Sequence, residues 1–298
     1  MLPAPDSIRT DNLRGLARAI SFVENEVEGY EDLLASFPQN NHTRITGITG
    51  PPGAGKSTLT DALVEEMLKE GRKVAVLCID PSSSFSRGAI LGDRIRMGRW
   101  YNEPSVYIRS LATRGWLGGL APQAIEITEV LKFAGFDDII IETVGVGQSE
   151  IDIAGLADLT LVVVVPEAGD DIQTMKAGLM EIADLFVVNK SDRPEADTLV
   201  RNLEQQLYPS RTQQHRRIPV LKTVASQHTG VRELYSRMQE IFMAGTTNAN
   251  RSRVFAEKAW ELIKKRKMKG IDIHQIKEEI SALIDQNKFN LYQYVAGK

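Results

Sequence analysis

The segment Gly50-Pro51-Pro52-Gly53-Ala54-Gly55-Lys56-Ser57 constrains this chain more than any other stretch, because a glycine, four residues and then Gly-Lys-Ser is the pattern of a phosphate-binding loop. Such a loop works only between a strand and a helix, and the flanks predict both. Ile45 to Thr49 is a short β-branched run, and Thr58 to Glu70 brings Leu59, Leu63, Met67 and Leu68 to one helical face. Gly50, Gly53, Ala54, Gly55 and Thr58 belong to the predicted nucleotide-binding set. Gly53 and Gly55 let the backbone curl so that successive N–H groups point at phosphate oxygens, and the helix starting near Lys56 adds its positive end. Lys56 can then reach the β- and γ-phosphates, and the Ser57 hydroxyl can ligate magnesium. The alternative is a glycine-rich strand-to-helix turn without a ligand.

Further runs alternate with helical patterns: Val74 to Ile79, Val106 to Ser110, Ile139 to Ile141, Leu159 to Val165, Leu185 to Val188 and Ile218 to Leu221. Several are almost purely Val, Ile and Leu, which suits strands covered on both faces. The expected fold is α/β: a phosphate-loop NTPase with a doubly wound, mostly parallel sheet, flanked by N- and C-terminal helical extensions. Ligands in such sheets sit at the carboxyl ends of the strands, where each candidate motif falls.

Asp80 closes the second run and opens Asp80-Pro81-Ser82-Ser83; Asp93 follows in Gly92-Asp93-Arg94. Both acids are candidate magnesium ligands, directly or through water, since that small hard ion keeps part of its hydration shell. Alternatively Asp80 starts a turn before proline and Asp93 is a solvated loop acid. Glu142 ends Asp138-Ile139-Ile140-Ile141, where phosphate-loop proteins often place an aspartate that holds magnesium. Gly145 lies three residues on, so its N–H can bond a γ-phosphate and let go after hydrolysis. Gln148 is a candidate for positioning water, although it does not directly follow Gly145 as small GTPases require. Lys56, Asp93, Glu142 and Gln148 form the candidate catalytic set.

Asn189-Lys190-Ser191-Asp192 decides the base. Asp192 can accept from the N1–H and exocyclic amine of guanine, whereas adenine offers no proton at N1 and no matching amine. Lys190 is expected along the base plane, and Ala225 and Ser226 are expected to add backbone contacts to the guanine. The ligands implied are GTP or GDP with Mg2+.

A net charge of −3 gives the whole chain no signature of nucleic-acid binding. The single cysteine, Cys78, reads as a small buried hydrophobe. The N-terminal residues show no basic segment leading into an apolar one, and the apolar run Leu159 to Val165 is far too short to span a bilayer, so a cytoplasmic protein without nucleic-acid or membrane partners is expected. Three segments are expected: residues 1–42 as an N-terminal helical extension, 43–248 as the nucleotide domain, and 249–298 as a C-terminal helical segment. The first draws on Leu13, Leu16, Ile20, Val23, Leu33 and Leu34 at helical spacing; the last carries the basic stretch Lys264-Lys265-Arg266-Lys267 and a stripe through Ile273, Ile276, Ile280 and Ile284. The basic stretch fits an amphipathic helix with a solvated face, the alternative being a nucleic-acid or membrane surface.

Taken together, these motifs, with Glu142-Thr143-Val144-Gly145-Val146-Gly147-Gln148-Ser149-Glu150 the most specific, resemble the methylmalonyl-CoA mutase-associated GTPases. That family is called MeaB or ArgK in bacteria and the methylmalonic aciduria type A protein in mitochondria. The resemblance implies a homodimeric, metallochaperone-type GTPase that guards an adenosylcobalamin-dependent acyl-CoA mutase and couples hydrolysis to loading and protection of the cofactor. It also implies that Lys56, Ser57, Asp80, Asp93 and Glu142 occupy the phosphate and magnesium site, that Glu167 to Lys176 is an additional switch, and that the C-terminal helices dimerise. Rival readings are a nickel-insertion GTPase, for which the four scattered histidines offer no rich ligand tract, a transport-protein kinase, for which no acceptor site is visible, and a non-catalytic nucleotide-gated scaffold.

Overall fold

The computed structural model describes residues 2–40, 42–80, 97–112, 123–143, 149–168, 177–207, 218–245, 251–268, 270–286 and 288–297. Seven strands run through these residues: β1 (Arg44–Thr49), β2 (Val74–Asp80), β3 (Val106–Ala112), β4 (Asp138–Glu142), β5 (Leu159–Val164), β6 (Leu185–Val188) and β7 (Val220–Lys222). The helices, in chain order, are α1 (Leu13–Glu24), α2 (Tyr30–Ala35), α3 (Lys56–Lys69), α4 (Ala124–Ala134), α5 (Ser149–Leu156), α6 (Ala177–Ile182), α7 (Ala196–Leu207), α8 (Val231–Ala244), α9 (Arg251–Lys267), α10 (Ile273–Asp285) and α11 (Leu291–Ala296).

All seven strands form one parallel sheet in the order β3-β2-β4-β1-β5-β6-β7. β1 lies in the middle, where the winding direction reverses, so its carboxyl end opens into the crevice that such sheets use for ligands. The register pairs Ile48 with Glu142, which brings the end of β4 beside the loop leaving β1.

The pure aliphatic strands are covered on both faces, as their composition predicts. On β5 the alternation separates the two sides: Leu161 and Val163 join a core with α3 and α8, whereas Val162 and Val164 pack with Phe186, Val188 and Ala196, Leu199 and Leu203 of α7. Leu59, Leu63 and Met67 of α3 are each no more than 1% exposed. At about 1.5–3 kcal/mol per buried side chain of this size, that helix and its first turn are held firmly on the sheet.

On the N-terminal side, the Asn12 side chain caps α1 by accepting from the Gly15 N–H at 3.0 Å, and α1 buries Leu16, Ala19, Ile20 and Val23. Leu13, at 40% exposed, stays outside that face. Arg109 of β3 is paired with Glu24 at the end of α1.

The chain divides into two compact units, residues 1–251 and 252–298. In the second unit, Asp272 caps α10 and Asn290 caps α11, and the Tyr294 hydroxyl donates to Glu279 at 2.6 Å, which ties α11 to α10. Ile273 is 70% exposed and Ile284 53%, so the stripe read from the sequence is not spent on a core within α10. Lys264, Lys265, Arg266 and Lys267 are all exposed. Among the described residues no helix is long and apolar enough to cross a membrane.

Candidate nucleotide site

The phosphate loop leaves β1 at Gly50, whose φ of +136° and close approach to β5 exclude a side chain, since a Cβ there would lie 2.0 Å from the Val163 carbonyl oxygen. It ends at Gly55, with φ +85°, where a Cβ would stand 2.4 Å from Asn189 Nδ2. The two glycines let the loop sit directly on β5 and on the Asn189 amide. Gly53, also in the left-handed region, and Thr58 are exposed, whereas Ala54 is buried.

Lys56 opens α3 and is 6% exposed; its ammonium donates to the carbonyls of Gly50 at 2.8 Å and Pro51 at 3.1 Å. The charge therefore sits within the mouth of the loop, where successive backbone groups curl around it. Ser57, next along, donates its hydroxyl to Glu142 Oε1 at 2.6 Å. One helical turn after Lys56, the Thr60 hydroxyl lies 2.9 Å from the Lys56 carbonyl and 2.9 Å from Glu142 Oε2. Glu142, 6% exposed at the end of β4, thus has both oxygens on α3 hydroxyls. Its longer side chain bridges the gap that an aspartate at this position would leave. A buried carboxylate and a serine hydroxyl 2.6 Å apart are hard oxygen donors, which suits magnesium. Thr143 continues the link, donating from its hydroxyl to Thr49 at 2.9 Å.

Asn189 joins the two halves of the site. It is 2% exposed; its Nδ2 donates to the Ala54 carbonyl at 2.9 Å, and its Oδ1 accepts from the Thr223 hydroxyl and the Ala225 N–H, each at 3.1 Å. Lys190, with φ +54°, donates from Nζ to the Gly53 carbonyl at 2.8 Å, crossing to the phosphate loop. Asp192 is exposed beside them, and Ala225 and Ser226 open a 3₁₀ turn, Ala225–Gln227, the first buried and the second exposed. Arg193 is bonded to Glu167, which holds that carboxyl below its usual range, and Lys190 lowers it further through space.

Lys56, Ser57, Glu142, Asn189, Lys190, Asp192, Ala225 and Ser226 therefore gather at the carboxyl ends of β1, β4, β6 and β7. Asp80 ends β2 on the same edge of the sheet, but its carboxylate lies outside the described residues, as do Asp93, Gly145, Gln148 and most of the segment from Glu167 to Lys176. Two contributors escaped sequence reasoning. Thr60 was legible as the residue one turn from Lys56 on the Ser57 side of α3. The Glu167–Arg193 pair was not, because it depends on how two loops meet.

The profile of the family described as methylmalonyl-CoA mutase-associated GTPase MeaB matches residues 16–278, from α1 into α10. The chain belongs to the MeaB family. It is a GTPase that binds guanine nucleotide on a phosphate-loop fold. A putative GTPase of Pyrococcus abyssi is 44% identical over 283 residues, covering 94% of this chain and 82% of that protein. The mouse methylmalonic aciduria type A homolog, a mitochondrial protein, is 34% identical over 246 residues, covering 78% of this chain and 59% of its own length. A crystal structure of a LAO/AO transport system kinase superposes with a TM-score of 0.66 at 26% identity, covering 98% of this chain and 94% of the other. In this MeaB-family chain the likeness covers far more than the phosphate loop.

Proposed function

We propose that this GTPase binds an adenosylcobalamin-dependent acyl-CoA mutase, methylmalonyl-CoA mutase being the first choice, and couples GTP hydrolysis to loading and protection of the mutase cofactor. The observation that carries this reading is the match to the MeaB profile over residues 16–278, which includes the helical additions that a minimal GTPase lacks. The name of the mouse relative points the same way.

In the reaction, Lys56 gives up its two loop carbonyls for the β- and γ-phosphates, and the loop N–H groups hold the nucleotide in line. Ser57 and Glu142 would hold magnesium, with Asp80 and Asp93 completing the set; when bound, the ion neutralises charge on the phosphates. Glu142 orients the Ser57 hydroxyl, and Thr60 fixes Glu142. Asp192 accepts the two guanine donors while Asn189 holds its loop against the phosphate loop. Hydrolysis by the protein alone is slow and rises when the mutase engages Gly145, Gln148 and the segment from Glu167 to Lys176. The exposed stripe of α10 joins two copies in a homodimer, and the protein works in the cytoplasm. GTP turnover measured alone and with the mutase tests this. Stimulation is expected; a rate that is fast alone and unchanged by any such mutase would overturn the reading.

A further inference from the structure

At the amino-terminal edge of the sheet, opposite the nucleotide site, a cavity of about 440 Å³ is lined by Arg44, His42, Lys132, Arg251, Asp158 and Phe242 among others. A second hollow of about 240 Å³ shares its His42 wall. The volume lies in the range of small-molecule sites.

The cavity holds an arginine that is bonded to no carboxylate among the described residues. Four described arginines are partly buried: Arg44, Arg72, Arg109 and Arg251. Arg72 pairs with Asp138, Arg109 with Glu24 and Arg251 with Asp158. Arg44 has no carboxylate partner among the described residues: its guanidinium donates to the neutral Gln239 side chain and lies over the Phe242 ring, 5.3 Å from its centroid. Asp138 acts on Arg44 only through space, being bonded to Arg72. A half-buried guanidinium bonded to no carboxylate is costly, and of its five N–H donors one bond, to Gln239, is accounted for in a side chain that lines the cavity. The other cations are answered, Lys132 by Glu129 and Arg251 by Asp158, but both stand in the same wall. His42, exposed at the rim, adds a further donor.

We infer that this cavity binds a small phosphate monoester, its dianionic group against Arg44 and its organic part beside Phe242. A phosphate monoester carries about −1.5 to −2 charge at neutral pH and three acceptor oxygens, enough for Arg44 and His42 together. The site is separate from the nucleotide. Arg44 opens β1 and Thr49 closes it, so at about 3.3 Å per residue roughly 17 Å of strand lie between the two.

The test uses the full chain saturated with magnesium and a non-hydrolysable GTP analogue, which fills the phosphate loop. Calorimetry with phenyl phosphate should show one saturable site per chain, tighter than for inorganic phosphate or succinate. Arg44→Gln should weaken it about tenfold or more while the analogue binds as before. His42→Gln, a change at an exposed rim that leaves the fold intact, should weaken it severalfold. Absence of saturable uptake up to several millimolar, binding untouched by both substitutions, or inorganic phosphate and succinate binding as well as the ester would each overturn the inference.

Discussion

Removing the Asn189 side chain should damage the phosphate loop and the guanine loop together. Asn189→Ala strips one bond from Ala54, one from Thr223 and one from Ala225, and all three groups are buried. At about 1 kcal/mol each the loss is about 3 kcal/mol, more if water cannot reach the groups left behind. That energy holds two loops in the arrangement that binds nucleotide, so affinity falls by whatever share of it ligand must supply on binding. Half of it corresponds to roughly tenfold and all of it to roughly 150-fold. Calorimetric titration with GDP should therefore show a loss within about 10- to 150-fold. Asn189→Asp separates the contributions: it keeps an acceptor for Thr223 and Ala225, loses the donor to Ala54 and sets a carboxylate against that carbonyl. It should also weaken GDP, although the guanine loop remains held. An Asn189→Ala protein that binds GDP within twofold of the parent would refute the claim that this amide organises the site.

Other expectations follow from the same geometry. Glu142→Gln removes the charge facing Ser57, so turnover should fall by more than about tenfold and require more magnesium, while GDP affinity measured without magnesium changes little; steady-state rates across a magnesium series check this. Arg193→Gln should raise the Glu167 carboxyl toward its ordinary range, which carbon-detected NMR titration reads directly. Because that carboxyl is lowered in the folded state, the pair's contribution is present above the unfolded value and is lost as pH falls through the folded one, and at this exposed position its effect on stability is small. Truncation after about Ala249 should leave a monomer that still binds GDP, since α10 carries the exposed stripe; light scattering that shows a retained dimer would reject that assignment.

What could be read from the sequence and what could not divides along a physical line. The strands were legible because β5 and β6 are buried on both faces and therefore nearly pure Val, Leu and Phe. The phosphate loop was legible because its glycines answer to local backbone geometry at Gly50 and Gly55. The contacts that assemble the site were not, since Ser57 with Glu142 and Asn189 with Ala54 span 85 and 135 residues. The expected place of Lys190 along the base plane gave no hint that its ammonium reaches the Gly53 carbonyl. α11 went unforeseen because six residues show too little periodicity to be distinguished from a loop. The neutral partner of Arg44 is invisible in sequence, since Gln239 lies 195 residues away.

The most direct test of the central claim is calorimetry of GDP, ADP and xanthosine diphosphate against the parent chain and Asp192→Asn. The carboxylate at 192 should give the parent tight GDP binding and no measurable ADP binding, and the amide should cut GDP affinity by about 100-fold while admitting xanthosine diphosphate, whose ring carbonyl accepts from it. Equal uptake of ADP and GDP by the parent, or a GDP affinity indifferent to the substitution, would contradict the account.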